Sequence, residues 1–229
     1  MRFEFRWLSI CLLAVIAACS PFGTGANLEI VIEPDDFVVL PCKRVTEQLP
    51  CALVVAGGKR VLLGAPAGAA ASFGADHLAQ LDAVLLFSLR ATDIEGLDDV
   101  RNRSWRVGRD RPLSAIGPVG IEDFVTALNK AYEQADALRV VEDGIPPGGY
   151  DAAILSAVTA VSGQIVFDTG DLWIERRAEG YLVFYKQSVT LALTKCGSAS
   201  AEEAGFLISC AEDSPDLVWP VSEPVFLQK

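Results

Sequence analysis

Histidine is nearly absent from this 229-residue chain, which holds only His77, along with a single methionine. A zinc hydrolase needs at least about three protein ligands for each metal ion, and one imidazole cannot build a histidine-rich centre. No Cys-x-x-Cys occurs, so a thiolate site lacks its usual frame. No Gly-x-Ser-x-Gly occurs, and no spacing ties His77 to a serine. Positive charge is also scarce: 19 Lys and Arg stand against 30 Asp and Glu, for a net charge of −11. Such a chain repels phosphate backbones, and no nucleic-acid partner is expected. Beyond the N-terminus no apolar run reaches the roughly 18–20 residues needed to cross a bilayer.

The length suits one domain or two small ones, and half of the residues are hydrophobic (51%), enough for a packed core. At the N-terminus, Arg2 and Arg6 precede an apolar run from Trp7 to Ala18. Ile16-Ala17-Ala18-Cys19 resembles the bacterial lipobox. The resemblance implies a signal segment over residues 1–18, a lipid on Cys19 and anchoring in the cell envelope, with the periplasmic face of the outer membrane favoured by Ser20. A plain secretory signal or a membrane anchor is the alternative. Residues 19–27 read as a tether of turn formers.

With Cys11 in the signal and Cys19 lipidated, Cys42, Cys51, Cys196 and Cys210 remain. In an oxidising envelope they suggest two disulfides. Three connectivities exist; local pairing, Cys42 with Cys51 and Cys196 with Cys210, is the preferred one.

Alternating apolar patterns predict strands at 28–32, 37–40, 52–56, 60–63, 81–87, 113–118, 154–161, 163–167, 172–175, 181–185, 189–193 and from Phe206. Gly57-Gly58 marks a hairpin turn. Short helices are expected at 75–81 and 93–100. A long amphipathic helix follows, with Ile121, Phe124, Val125, Leu128, Tyr132, Ala135 and Leu138 on one face. The arginine-rich run from Arg101 to Arg111 reads as a solvated loop, with a basic patch as the alternative. His77 reads as a surface or capping residue. Asp168-Thr169-Gly170 sits where a turn between strands needs Asp and Gly.

The stretch Val84 to Leu97 organises the rest. An apolar strand runs into Ser88-Leu89-Arg90-Ala91-Thr92-Asp93 and ends in Gly96-Leu97. It resembles the metal-binding strand-loop of the metallo-β-lactamase superfamily, in which Thr-His-x-His-x-Asp-His precedes Gly-Leu. Gly57-Gly58, Gly117-Pro118 and Gly180-Tyr181 follow the order of that superfamily's ribonuclease-Z-like branch, although Gly64 stands where an Asp is usual. The resemblance implies an α/β (α+β) fold, an αβ/βα sandwich of mixed sheets flanked by helices, over residues 28–213. It also implies that the chain stops short of the family's last helix, strand and His, leaving 214–229 as a tail.

Aligned in this way, the former metal positions are Ser88, Arg90, Thr92, Asp93 and Cys196, and Arg176 to Glu179 fills the shortened His-bearing loop. A fixed guanidinium at Arg90 repels a divalent cation, so no metal or cofactor is expected. Ser88 is a nucleophile without an identified base or oxyanion hole. The expectation is a non-catalytic envelope lipoprotein, membrane-bound through its lipid, that binds a partner protein or small ligand with Arg90 as anion contact. A hydrolase with a rewired or metal-free site is the alternative, and a structural lipoprotein of unrelated β-rich fold is a third.

Overall fold

Adjacent glycines fold the first hairpin. Gly57 and Gly58 take φ of 57° and 70°, the left-handed pair that a tight two-residue turn requires. They join β2 (Ala52–Ala56) to β3 (Lys59–Leu63) in the register Ala56 opposite Lys59 and Val54 opposite Val61. On the other side of β2 lies β1 (Phe37–Pro41), antiparallel to it. The Cys42–Cys51 disulfide, with 5.4 Å between Cα atoms, closes the connection from β1 to β2. This computed structural model describes residues 31–43, 50–186, 189–194, 206–208 and 224–228.

After β3 the chain turns to parallel pairing, which demands crossover connections. Helix α1 (Ala75–Ala79) leads to β4 (Ala83–Leu85), α2 (Ala91–Ile94) and α3 (Leu97–Arg106) lead to β5 (Leu113–Gly117), and α4 (Ile121–Asp143) leads to β6 (Leu155–Thr159). The first sheet is completed by β12 (Val225–Gln228), giving the order β12-β1-β2-β3-β4-β5-β6. A second sheet holds β7 (Ile165–Asp168), β8 (Leu172–Arg176), β9 (Gly180–Tyr185), β10 (Val189–Thr194) and β11 (Phe206–Ile208) in the order β11-β10-β9-β8-β7.

One hydrophobic core joins the sheets: Phe37, Leu53, Leu62 and Leu85 of the first share it with Ile174, Tyr181, Val183 and Tyr185 of the second. Two edge-to-face ring pairs cross between them, Phe37 with Tyr185 at 5.7 Å and Phe87 with Tyr181 at 5.4 Å. This is the mixed α/β sandwich expected from the sequence. Residues 32–229 make up this unit, and Met1–Val31 form a separate one, of which only Val31 is described.

Gly96 has a steric role. Its N–H donates to the Ala65 carbonyl at 2.9 Å, and a Cβ there would lie 2.1 Å from the Pro66 carbonyl oxygen. No other residue fits between the α2–α3 junction and the strand loop beneath it.

Several expectations need correction. Val31 and Ile32 lie outside any strand, and residues 28–30 of the expected strand are outside the described residues. The helix expected at 93–100 is two helices, broken at Glu95-Gly96. The arginine run is no solvated loop: Arg101 and Arg109 are among the largest fully buried side chains. Arg101 pairs with Asp136 of α4 through both carboxylate oxygens, which makes burial of the charge tolerable. Arg109 donates to Ser104 Oγ at 3.0 Å and to the Arg111 carbonyl; burial lowers its pKa to about 10. On α4, Ala135 and Leu138 are exposed, because the second half of that helix turns Asp136 inward instead. The 214–229 tail is also incomplete as a description. Val225–Gln228 pair with β1, Phe37 opposite Gln228 and Val38 opposite Phe226, since β1 would otherwise leave a buried apolar strand with an open edge.

Candidate functional site

The loop that follows β4 carries the residues singled out from the sequence. Past Leu85 the strand leaves its ladder: Leu86 N–H still reaches the Ile116 carbonyl at 2.8 Å, but the Leu86 and Phe87 carbonyls turn to the second sheet. Tyr181 Oη–H donates to the Leu86 carbonyl at 2.7 Å, and Arg176 Nη2 donates to the Phe87 carbonyl at 2.9 Å. Tyr181 and Arg176 face each other across β9 and β8, with the guanidinium 4.8 Å from the ring centre. Burial pushes the Tyr181 hydroxyl up to about 12, and the Arg176 charge acts in the opposite direction.

Arg176 is only 6% exposed. It is the last residue of β8 and not part of a loop. The inward alternation Leu172, Ile174, Arg176 was present in the sequence and could have shown this. The turn itself is residues 177–179, closed by Arg177 N–H to the Gly180 carbonyl at 2.9 Å.

Ser88, Arg90 and Asp93 come together one peptide beyond that anchor. The Ser88 hydroxyl donates to Asp93 Oδ2 and accepts the Arg90 N–H at 3.2 Å. Arg90 is the N-cap of α2, Asp93 lies in its first turn, and the Asp93 N–H reaches back to the Arg90 carbonyl at 2.9 Å. The trio closes the start of a short helix, and a carboxylate there is well placed for the helix dipole. Thr92 is half-buried and Arg90 is exposed. Cys196, Cys210 and Cys19 lie outside the described residues.

His77 is not brought to this loop. It sits at the opposite end of β4, where Arg60 Nε–H donates to its Nδ1 at 3.4 Å. Burial and the Arg60 charge both lower its pKa. No Ser88–His pair exists, and the hydroxyl proton of Ser88 is committed to Asp93.

No family model matches the sequence, and no curated protein matches it either. The structure gives the relationship. The metallo-β-lactamase fold protein YhfI from Bacillus subtilis is similar at a TM-score of 0.50 and 16% identity, over 76% of this chain and 71% of that one. This chain has the metallo-β-lactamase fold. Human tRNase Z, short form, is similar at a TM-score of 0.50 and 15% identity, over 76% of each chain. At such identities the likeness establishes architecture and not activity.

The metallo-β-lactamase fold implies a metal centre at this edge, and the residues present do not fit one. A divalent cation takes imidazole, thiolate or carboxylate donors. Among the described residues the aligned positions offer two hydroxyls, a guanidinium and one carboxylate already engaged by Ser88; the fifth, Cys196, lies outside them. A buried guanidinium, Arg176, lies directly behind the loop and opposes a second positive charge. Among the described residues no three His, Cys, Asp or Glu side chains converge.

Proposed function

We propose that this protein is a non-catalytic envelope lipoprotein that uses its metallo-β-lactamase-fold domain to bind a partner protein or small anionic ligand at the β4–α2 edge. The observation carrying this reading is how the loop spends its chemistry. Ser88 and Asp93 satisfy each other, Arg176 clamps the loop from behind, and of the aligned positions among the described residues Arg90 is the one left exposed. Such an edge is suited to holding an anion through Arg90, and the one carboxylate at its aligned positions, Asp93, is engaged by Ser88. The lipobox-like Ile16 to Cys19 supports anchoring through a lipid on Cys19, facing the periplasm.

Four measurements test this. Equimolar zinc should leave the melting temperature unchanged, whereas a ligand at 100 times its dissociation constant adds about 2.7 kcal/mol; a clear upward shift sinks the metal-free reading. Labelled palmitate should enter the wild-type chain in a bacterial host and be lost in Cys19→Ala. Titrated acetate and inorganic phosphate should raise the melting temperature of the wild type more than that of Arg90→Glu. A turnover that survives chelator and disappears in Ser88→Ala or Asp93→Ala would favour a hydrolase instead.

A further inference from the structure

Among the described residues β6 is one of the two edges of the seven-stranded sheet. In a parallel ladder, alternate residues of a strand turn both backbone polar groups to the same neighbour. The Ile154 carbonyl accepts from Leu113 at 3.1 Å, and Ala160 N–H donates to the Gly117 carbonyl at 2.7 Å. Even-numbered residues therefore face β5, and Leu155, Ala157, Thr159 and Val161 face outward.

The two ends of that outward row are capped. Leu155 is bonded on both groups by the Asn129 side-chain amide, at 3.0 and 2.8 Å. Val161 is bonded on both groups by Gln164, through its side-chain oxygen at 3.2 Å and its own N–H at 3.1 Å. Between the caps, Ala157 and Thr159 each present an N–H and a C=O with no partner among the described residues. Edge strands are normally guarded by Lys, Pro or a bulge. This one has none, and its exposed positions are Ser156 and Val158.

Two open residues spaced i and i+2 are complementary to themselves. If an identical strand runs antiparallel with Ala157 opposite Thr159, each of the two pairs is of the hydrogen-bonded kind. All four donors meet all four acceptors, and a two-fold axis passes between the two Val158 side chains. The Asn129 and Gln164 caps stop the ladder from extending, which fixes this register.

Charge selects the same occupant. Two copies of a chain with net charge −11 repel each other over most of their surfaces. No charged residue lies between Ala152 and Phe167, so this is where two acidic copies meet without facing like charges. Glu122, the carboxylate bonded to this strand, is held by the Thr159 hydroxyl at 3.0 Å. Val158, Val161 and Ile165, which are 39%, 54% and 51% exposed, supply the apolar surface at the seam. We propose that this protein pairs with a second copy of itself through β6, antiparallel, with Ala157 opposite Thr159 about a two-fold axis at Val158.

The test uses the full chain in detergent. Sedimentation over a concentration series should show a monomer–dimer equilibrium, and Val158→Asp, which places like charges across the axis, should weaken it at least about tenfold. A chain that stays monomeric throughout, or a dimer untouched by Val158→Asp, overturns the proposal. Val158→Cys is a small change on an exposed side chain and serves as a second probe. Facing residues of a non-hydrogen-bonded pair lie about 4.5 Å apart at Cα, within the roughly 4.4–6.8 Å span of a disulfide. Mild oxidation should therefore give covalent dimer well above that of the unmodified chain. Val141→Cys, exposed on α4 (82%) and away from β6, should not. Equal cross-linking of the two variants, or none from Val158→Cys, refutes the register.

Discussion

Asp136→Ala tests how the helical layer behind the first sheet tolerates a buried charge. Arg101 and Asp136 are 1% and 5% exposed at their side chains and bond in a two-point pair. With Asp136 truncated, Arg101 keeps Asn102 Oδ1 at 2.8 Å and the face of Tyr132 at 5.0 Å, but no countercharge. Its Nε is already without a partner among the described residues. Breaking one side of a buried ion pair costs about 3–5 kcal/mol, because the surviving charge stays desolvated. For a domain of this size each kcal/mol moves the melting temperature by about 2–4 °C, so a drop of about 6–20 °C is expected. The double variant Arg101→Met with Asp136→Leu removes both charges from a partly apolar setting and should recover most of that loss. Calorimetry or circular dichroism melts of the three proteins suffice. If Asp136→Ala melts within about 2 °C of the wild type, or the double variant is as unstable as the single one, the pair is not what ties α3 to α4.

Other expectations follow from the same structure. Arg176→Met should lower stability by about 1–3 kcal/mol, since it orphans the Phe87 carbonyl; a higher melting temperature would mean that burying a guanidinium with no carboxylate partner among the described residues outweighs its contacts. Removing the Cys42–Cys51 bridge, which closes a loop at a sequence separation of 9, should cost about 2.7 kcal/mol by loop entropy, and a Cys42→Ala, Cys51→Ala variant with unchanged denaturant midpoint would contradict it. His77 has a lowered folded pKa, so the unfolded chain binds its proton first. Its contribution is present above the ordinary value of 6.5 and is lost as pH falls below it. The stability difference between wild type and His77→Gln should therefore shrink on acidification from neutrality; a constant difference would show that the Arg60 contact is insensitive to the proton.

The backbone plan was largely legible because it rests on local signals. Gly57-Gly58 marked its hairpin, the spacing from Ile121 to Leu128 marked its helix, and alternation in Leu172 to Arg176 marked its strand. Gly96 was readable as a signpost, but its cause, the Pro66 carbonyl, is a contact between distant segments. The site divides along the same line. Ser88, Arg90 and Asp93 are close in sequence and were found together, whereas Arg176 is 88 residues beyond Ser88 and joins them only through the packing of two sheets. The arginine run misled because composition suggests solvent, while burial of Arg101 depends on Asp136, a partner visible only once α4 is docked. The return of Val225–Gln228 to β1 is a non-local pairing that no local pattern announces.

That returning strand has a practical outcome. Gln228 ends up alongside Phe37, the first residue of β1, so a fluorescent protein or affinity handle fused after it would emerge beside the start of β1. Trimming the final few amino acids would uncover Phe37, Val38 and Val39 as a sticky ribbon, and the product would be prone to clump.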